Sequence, residues 1–229
     1  MLCVVPLAGP DFVDKKGKIK ALKPFMNGFL LKKVLESRHW FHEISSYHFI
    51  LQNNNIMRNF YASTLKDWFP NSCAAFITPP TRGAVMSVLS GVSMINNFNA
   101  PIVVDLADIY YESNNDIASV FSCNPDIGAV ALTFKSTKDC YSYFRFSSNI
   151  FDFESREKEV ISSDASAGTY IFKNLPVLLY SLYYSIKNVD HISYNDLLYI
   201  CPALNSLKEL NLRVVGVDVC NVIDVKTDL

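Results

Sequence analysis

The chain lacks a C-x-x-C pair, a long apolar run and a charge excess, and each absence closes a class of function. Its six cysteines, Cys3, Cys73, Cys123, Cys140, Cys201 and Cys220, are scattered, so zinc-ligand spacing is missing. Most sit beside Val, Ile, Ala or Tyr, the setting of buried free thiols in a reducing compartment, and a cytoplasmic location is the expectation. The four histidines form no metal motif. His39 and His42 stand three apart, as on one helix face, with no third ligand nearby. No apolar stretch reaches the ~18 residues that suggest a membrane span. The short apolar opening has no positive region before it and does not read as a signal peptide. A net charge of -1 offers no excess to drive counterion release, so no nucleic-acid partner is expected.

What is present suits a sizeable core. Half of the residues are hydrophobic and 19% are charged, which argues against disorder. No repeat, linker or low-complexity tract divides the 229 residues, so one domain over 1–229 is the expectation. Residues 2–7 read as a strand, 29–38 as a helix, 47–52 as a strand and 55–68 as a helix. A strand over 73–78 is stopped by Pro79-Pro80. A helix over 83–97 precedes PIVVD, a β-branched run typical of a buried parallel strand. This alternation predicts an α/β fold with a parallel sheet and helices on both faces. From about residue 127 four strand-like runs follow with few helices between them, which predicts an antiparallel or mixed extension. Helices over 175–187 and 196–210 and a strand in LRVVGVDV close the chain.

In open α/β sheets, ligands bind past the carboxyl ends of the parallel strands. Several stretches fall there. MLCVVPLAGPDF runs from a strand into a single-glycine turn. Lys15, Lys16, Lys18, Lys20 and Lys23 crowd the loop behind it, either as a solvated surface or as phosphate ligands. Lys23 stands between apolar neighbours and a proline, which aims it. Gly83 in PPTRGAVMSVL opens a helix. Its backbone amides can take an anion or a base edge, or the glycine can serve close packing. PIVVDLADIYY ends a buried strand in two aspartates. Carboxylates there need pairing or a cation, so Asp105, Asp108 or both hold Mg²⁺ against phosphate, or one caps the following turn.

Together these stretches resemble the sugar-1-phosphate nucleotidyltransferases, and most of all the capsule and lipopolysaccharide branch, over nearly the whole chain. VVPLAGPDF is similar to the family's opening PMAGxGSRF, and LKPFMNGFLLKKVLESR to its PKPLI segment. TRGAVMSVL is similar to the segment near the nucleotide base. The strand PIVVDLADIYY resembles the one that ends in the metal-binding aspartate, aligned with Asp108. REKEVISSDASAGTYIFK carries the most specific likeness and sets Glu157, Lys158 and Gly168 near the sugar-phosphate pocket. YNDLLYICPALN adds Asn195, and IDVKTDL makes Asp224 a second metal ligand.

The resemblance implies a Rossmann-like three-layer α/β (GT-A-like) fold with a mixed, mostly parallel sheet. It implies Mg²⁺ as cofactor, with an NTP and a sugar-1-phosphate or similar phosphate as partners, and leaves a homodimer open. Lys23, Asp108 and Lys158 would be catalytic. Ala8, Gly9, Thr81 and Gly83 would bind nucleotide. Glu157, Gly168 and Asn195 would bind sugar phosphate, and Asp108 and Asp224 the metal.

The front loop departs from the family. Its second glycine is gone, Pro10 lacks a backbone donor, and Asp11 stands about where the family has arginine. Leu22 replaces the proline before the key lysine, and Lys226-Thr227 replaces the closing proline-glutamate pair. Two readings follow from the resemblance. One is an active nucleotidyltransferase in which a loop lysine replaces the arginine. The other is an impaired relative that binds nucleotide sugar or serves a partner enzyme. A glycosyltransferase of the same fold is a more distant third.

Overall fold

A computed structural model describes residues 1–78, 81–114 and 117–225. The prolines expected to stop the third strand, and Lys226-Thr227, lie outside the described residues. In chain order the strands are β1 (Leu2–Pro6), β2 (Pro24–Phe25), β3 (Gly28–Phe29), β4 (Ser46–Gln52), β5 (Ser72–Ile77), β6 (Ile102–Asp105) and β7 (Ile109–Glu112). They continue as β8 (Ile127–Lys135), β9 (Tyr143–Phe146), β10 (Phe153–Arg156), β11 (Asp164–Phe172), β12 (Arg213–Asp218) and β13 (Cys220–Asp224). The helices are α1 (Leu30–Glu36), α2 (Asn55–Phe60), α3 (Lys66–Trp68), α4 (Ala84–Val92), α5 (Ala118–Cys123), α6 (Leu175–Lys187), α7 (Val189–Ile192) and α8 (Ile200–Ala203).

Among the described residues nine strands form one mixed sheet. Four of them, in the order β6-β1-β4-β5, are parallel. Strand β11 turns the sheet antiparallel against β6, β8 and β9, and β12 returns parallel to β8. This is an α/β fold with a mainly parallel central sheet, as expected. The alternation of each strand explains the layering. Cys3 and Val5 of β1 and Tyr47, Phe49 and Leu51 of β4 pack on the side of α1 and α2. Val4 and Ile50 pack on the other side with Val85, Val88 and Val92 of α4 and Leu178 and Leu182 of α6. Gly91 lets α4 approach closely, since a Cβ there would meet Ile50 at 2.6 Å.

Several details differ from the expectation. The helix expected over 196–210 starts only at Ile200, and its second part is 3₁₀ (Leu204–Leu210). Ahead of it Asn195 and Asp196 take φ of 50° and 59°, the pair of left-handed residues that closes a two-residue hairpin between Tyr194 and Leu197. The helix expected over 83–97 ends at Val92. The helix over 55–68 contains a π turn, Tyr61–Leu65.

Candidate active-site cleft

A cleft of about 470 Å³ opens past the carboxyl ends of β1 and β6. The loop after β1 supplies Ala8, Gly9, Pro10, Asp11, Phe12 and Lys20 to its wall. Thr81 and Gly83 enter from the start of α4, Leu106 to Asp108 from the loop after β6, and Leu197 and Tyr199 from the segment before α8. Five expected site residues therefore meet here: Ala8, Gly9, Thr81, Gly83 and Asp108. Lys20 lines the cleft, whereas Lys15, Lys16 and Lys18 are solvent-exposed.

The front loop is built from local turns. The Gly9 carbonyl accepts from Phe12 N at 3.2 Å and from the Gln52 side chain at 2.7 Å. Gly9 is not among the residues with positive φ. The Asp14 carboxylate accepts from Lys16 N and Lys18 N, both at 2.8 Å, and Lys20 N donates to the Phe12 carbonyl. Lys23 follows a 3₁₀ turn and is exposed beside the wall rather than in it.

Gly83 is needed for a close approach. It stands at φ 93°, ψ -175°, a region essentially reserved for glycine, and a Cβ would meet the backbone of Leu198, its N at 2.7 Å. Leu198 N donates to the Arg82 carbonyl, and Val85 N donates to the Leu198 carbonyl. The Val85 amide at this helix start is thus spent on holding the 197–199 segment to the cleft.

The two aspartates after β6 have different tasks. Asp105 is 1% exposed and is gripped by the fork of Arg38, itself 2% exposed, with Nε at 2.7 Å and Nη2 at 3.1 Å. Arg38 also lies 3.8 Å over the Tyr111 ring. Burial opposes its charge, yet the neighbouring Asp105 carboxylate and Tyr111 carry its pKa above the usual arginine range. Asp105 further accepts from Ala107 N at 2.8 Å. Ala107 stands at φ 53°, a left-handed conformation that costs an L-residue roughly 1–2 kcal/mol. Of the two readings of Asp105, pairing and capping is the one supported, and Asp108 is the aspartate in the cleft wall. Sequence reasoning missed Arg38 because its partner lies 67 residues away.

Gly168 lies directly behind Asp108. At φ 74° it sits within the register shift of β11 between Ser166 and Tyr170, and a Cβ would meet Asp108 Oδ1 at 2.9 Å. Asp224 reaches the same place from the far end of the chain. It pairs in register with Ile109, and Val225 N donates to the Asp108 carbonyl at 3.1 Å. The buried Asp224 carboxylate accepts from Tyr141 OH at 2.9 Å. Asp108 lines the cleft, whereas Asp224 is not among the residues of its wall. Among the described residues no group of three or more His, Cys, Asp or Glu could hold a metal ion by itself.

The remaining expected residues, Glu157, Lys158 and Asn195, are not part of the cleft wall. Lys158, exposed and at φ 52°, holds its ammonium 5.2 Å from the Tyr194 ring centre and 5.9 Å from that of Tyr199. Tyr199 is itself a wall residue. Glu157 accepts from the Ser142 hydroxyl. Asn195 forms the exposed hairpin tip and is absent from the cleft wall. Among the described residues no helix is long and apolar enough to cross a membrane.

No protein-family model matches the chain, and no curated protein matches its sequence. Its fold, however, matches solved structures over nearly its whole length. With the nucleoside-diphosphate-sugar pyrophosphorylase from Vibrio cholerae RC9 the TM-score is 0.80 at 19% identity, over 98% of this chain and 95% of that one. With UDP-glucose pyrophosphorylase complexed with UDP-glucose it is 0.70 at 16% identity, over 98% and 94%. With the inositol-1-phosphate CTP transferase from T. maritima it is 0.69 at 12% identity, over 99% and 90%. At these identities the likeness is one of fold, and the fold is the one that these pyrophosphorylases and nucleotidyltransferases share.

Proposed function

We propose that the chain is a single nucleotidyltransferase-like domain that moves a nucleotidyl group from an NTP to a sugar-1-phosphate or similar phosphate. The observation that carries this reading is the cleft past β1 and β6, where the front loop, the start of α4 and Asp108 face one another. On a fold shared with nucleotide-sugar pyrophosphorylases, that is where a nucleotide belongs. A phosphate oxygen of the acceptor attacks the α-phosphorus in line. The new O–P bond forms as the bond to the β-phosphate oxygen breaks, and pyrophosphate leaves. The chain's part is to position the reactants and to neutralise charge. Thr81 and Gly83 receive the base, and Lys20 and Lys23 face the phosphates. Lys158, steadied by Tyr194 and Tyr199, meets the acceptor phosphate, and Glu157, Gly168 and Asn195 serve the sugar side of the acceptor. Asp108 and Asp224 would hold Mg²⁺, which neutralises phosphate charge when bound. A cytoplasmic homodimer supplying capsule or lipopolysaccharide synthesis belongs to the same proposal.

The test is pyrophosphate release over a panel of NTPs paired with sugar and amino-alcohol phosphates. Turnover with one pair is expected, and Asp108→Asn should lower it by about 10²-fold or more. A folded sample without turnover on any pair counts against the reading.

Asp11 favours a second reading. It shares the cleft wall with Asp108, beside a proline that offers no amide to a phosphate. An impaired relative that binds nucleotide sugar fits that charge balance. It predicts that an NTP with Mg²⁺ leaves the melting temperature unchanged while a nucleotide sugar raises it.

A further inference from the structure

Buried ion pairs are a costly way to hold a core. Replacing one by apolar residues of similar volume is often neutral or stabilising, because two charges must be desolvated. Arg38–Asp105 is such a pair, and neither residue is part of the cleft wall. Stability alone is a poor account of it. What this pair does, and an apolar pair could not, is bind backbone on both sides of Asp108. Asp105 Oδ1 accepts from Ala107 N at 2.8 Å, and Ala107 is left-handed. Arg38 Nη2 donates to the Ile109 carbonyl at 3.0 Å. Residues 107 and 109 are therefore tied to the two halves of one ion pair, and 108 lies between them.

We infer that Arg38 and Asp105 are positioning residues for Asp108: their ion pair sets the left-handed turn that presents the Asp108 carboxylate to the cleft. The geometry is specific to this partner choice. The planar guanidinium serves the carboxylate as a fork while its Nη2 also reaches the carbonyl, which a lysine ammonium cannot reproduce as a fork. The Tyr111 ring under Arg38 and the Tyr111 hydroxyl bond to Thr169 at 2.8 Å fix the guanidinium from the side of β11. Gly168, on the same strand, leaves the space that Asp108 occupies. The consequence for function rests on the reading of Asp108 as the carboxylate that serves phosphate chemistry.

The test is the double variant Arg38→Met with Asp105→Leu, compared with the unchanged protein in three measurements. Its denaturant midpoint is expected to equal or exceed that of the unchanged protein. Its affinity for Mn²⁺, read by electron paramagnetic resonance, is expected to fall at least tenfold. A crystal structure is expected to show residue 107 outside the left-handed region. A folded double variant that keeps residue 107 left-handed and binds Mn²⁺ as before would overturn the inference. If the unchanged protein binds no Mn²⁺, the metal reading of Asp108 fails, and the conformation of residue 107 decides the positioning role by itself. If the double variant does not fold, Asp105→Asn decides. It keeps an oxygen for the Ala107 amide but removes the charge that pairs with Arg38, so residue 107 is expected to leave the left-handed region and Mn²⁺ affinity to fall at least tenfold. A folded Asp105→Asn protein that keeps the turn and binds Mn²⁺ as before overturns the inference.

Discussion

Two loops leave neighbouring parallel strands at the same end of the sheet and line the same cleft, and they are held in opposite ways. The loop after β1 is closed chiefly by contacts within itself, with one bond from the Gln52 side chain of β4 to the Gly9 carbonyl. Gly9 bonds Phe12, Asp14 bonds Lys16 and Lys18, and residues 9–11 and 14–18 are exposed. The loop after β6 is held by Arg38 just past α1, Gly168 of β11 and Val225 just past β13. The difference predicts where sequence change is tolerated. A locally closed, solvated loop can be rewritten at little cost in stability. A loop pinned by a buried charge pair cannot lose one partner cheaply.

The sharpest contrast comes from Arg38→Met alone. It leaves the Asp105 carboxylate buried without its counter-ion, which is expected to cost about 3–5 kcal/mol. Urea unfolding measures it. A loss under about 1 kcal/mol would show that the loop after β6 is no more rigidly held than the one after β1.

Gly83→Ala comes next. The strain at φ 93° costs roughly 1–3 kcal/mol, and the new Cβ meets Leu198 backbone. Because Leu198 ties the 197–199 segment to α4, ligand affinity in the cleft should fall with stability. Calorimetry and thermal melts of the same sample check both. Unchanged affinity beside a lowered melting temperature would detach that segment from the site.

A third expectation concerns pH, at the end of the sheet away from the cleft. Burial holds the His48 imidazole below its ordinary pKa of 6.5, with Nδ1 3.1 Å from Cys73 Sγ. The unfolded chain therefore takes up that proton at a higher pH than the folded chain does. The contribution to stability is fully present above about pH 6.5 and is lost as pH falls below it. Denaturant midpoints from pH 7.5 to 5 should decline, and His48→Gln should flatten the decline. A decline unaltered by that substitution would assign it to other groups.

The legible parts of the molecule were those that sequence neighbours decide. PIVVD announces a buried parallel strand, because a strand covered on both faces is apolar throughout, and CAAFIT announces a strand that lies half-buried at the edge of the sheet. LPVLLYSLYYSIK gives α6 at its full length. The β7–β13 pair was not legible, because its partners, such as Cys220 and Glu112, are 108 residues apart. The same limit governs the site. VDLAD shows two aspartates that need a partner or a cation, but the choice between them depends on Arg38, which follows α1. Likewise YNDLL reads as the start of a helix until Asn195 and Asp196 are seen in left-handed conformations. Local pattern locates such residues without saying which contact claims them.

Asp11→Asn has the smallest expected effect on stability and the most direct bearing on function. Asp11 sits in the locally closed loop, is exposed, and lines the cleft. Its substitution should change stability by less than about 0.5 kcal/mol. Removing one like charge near a bound triphosphate should strengthen binding by ~0.5–1 kcal/mol, or roughly two- to fivefold. Isothermal titration with a non-hydrolysable NTP at low and high salt measures this, and the gain should shrink as salt screens it. The result also separates the two functional readings. If the unchanged protein already binds NTP and the gain is small, Lys20 offsets Asp11 and the loop is a working variant. If binding appears only in the substituted protein, Asp11 is what keeps a triphosphate out of the cleft. Should Asp11→Asn instead destabilise the fold by several kcal/mol, the two loops would be equally locked, and the contrast between them would fall.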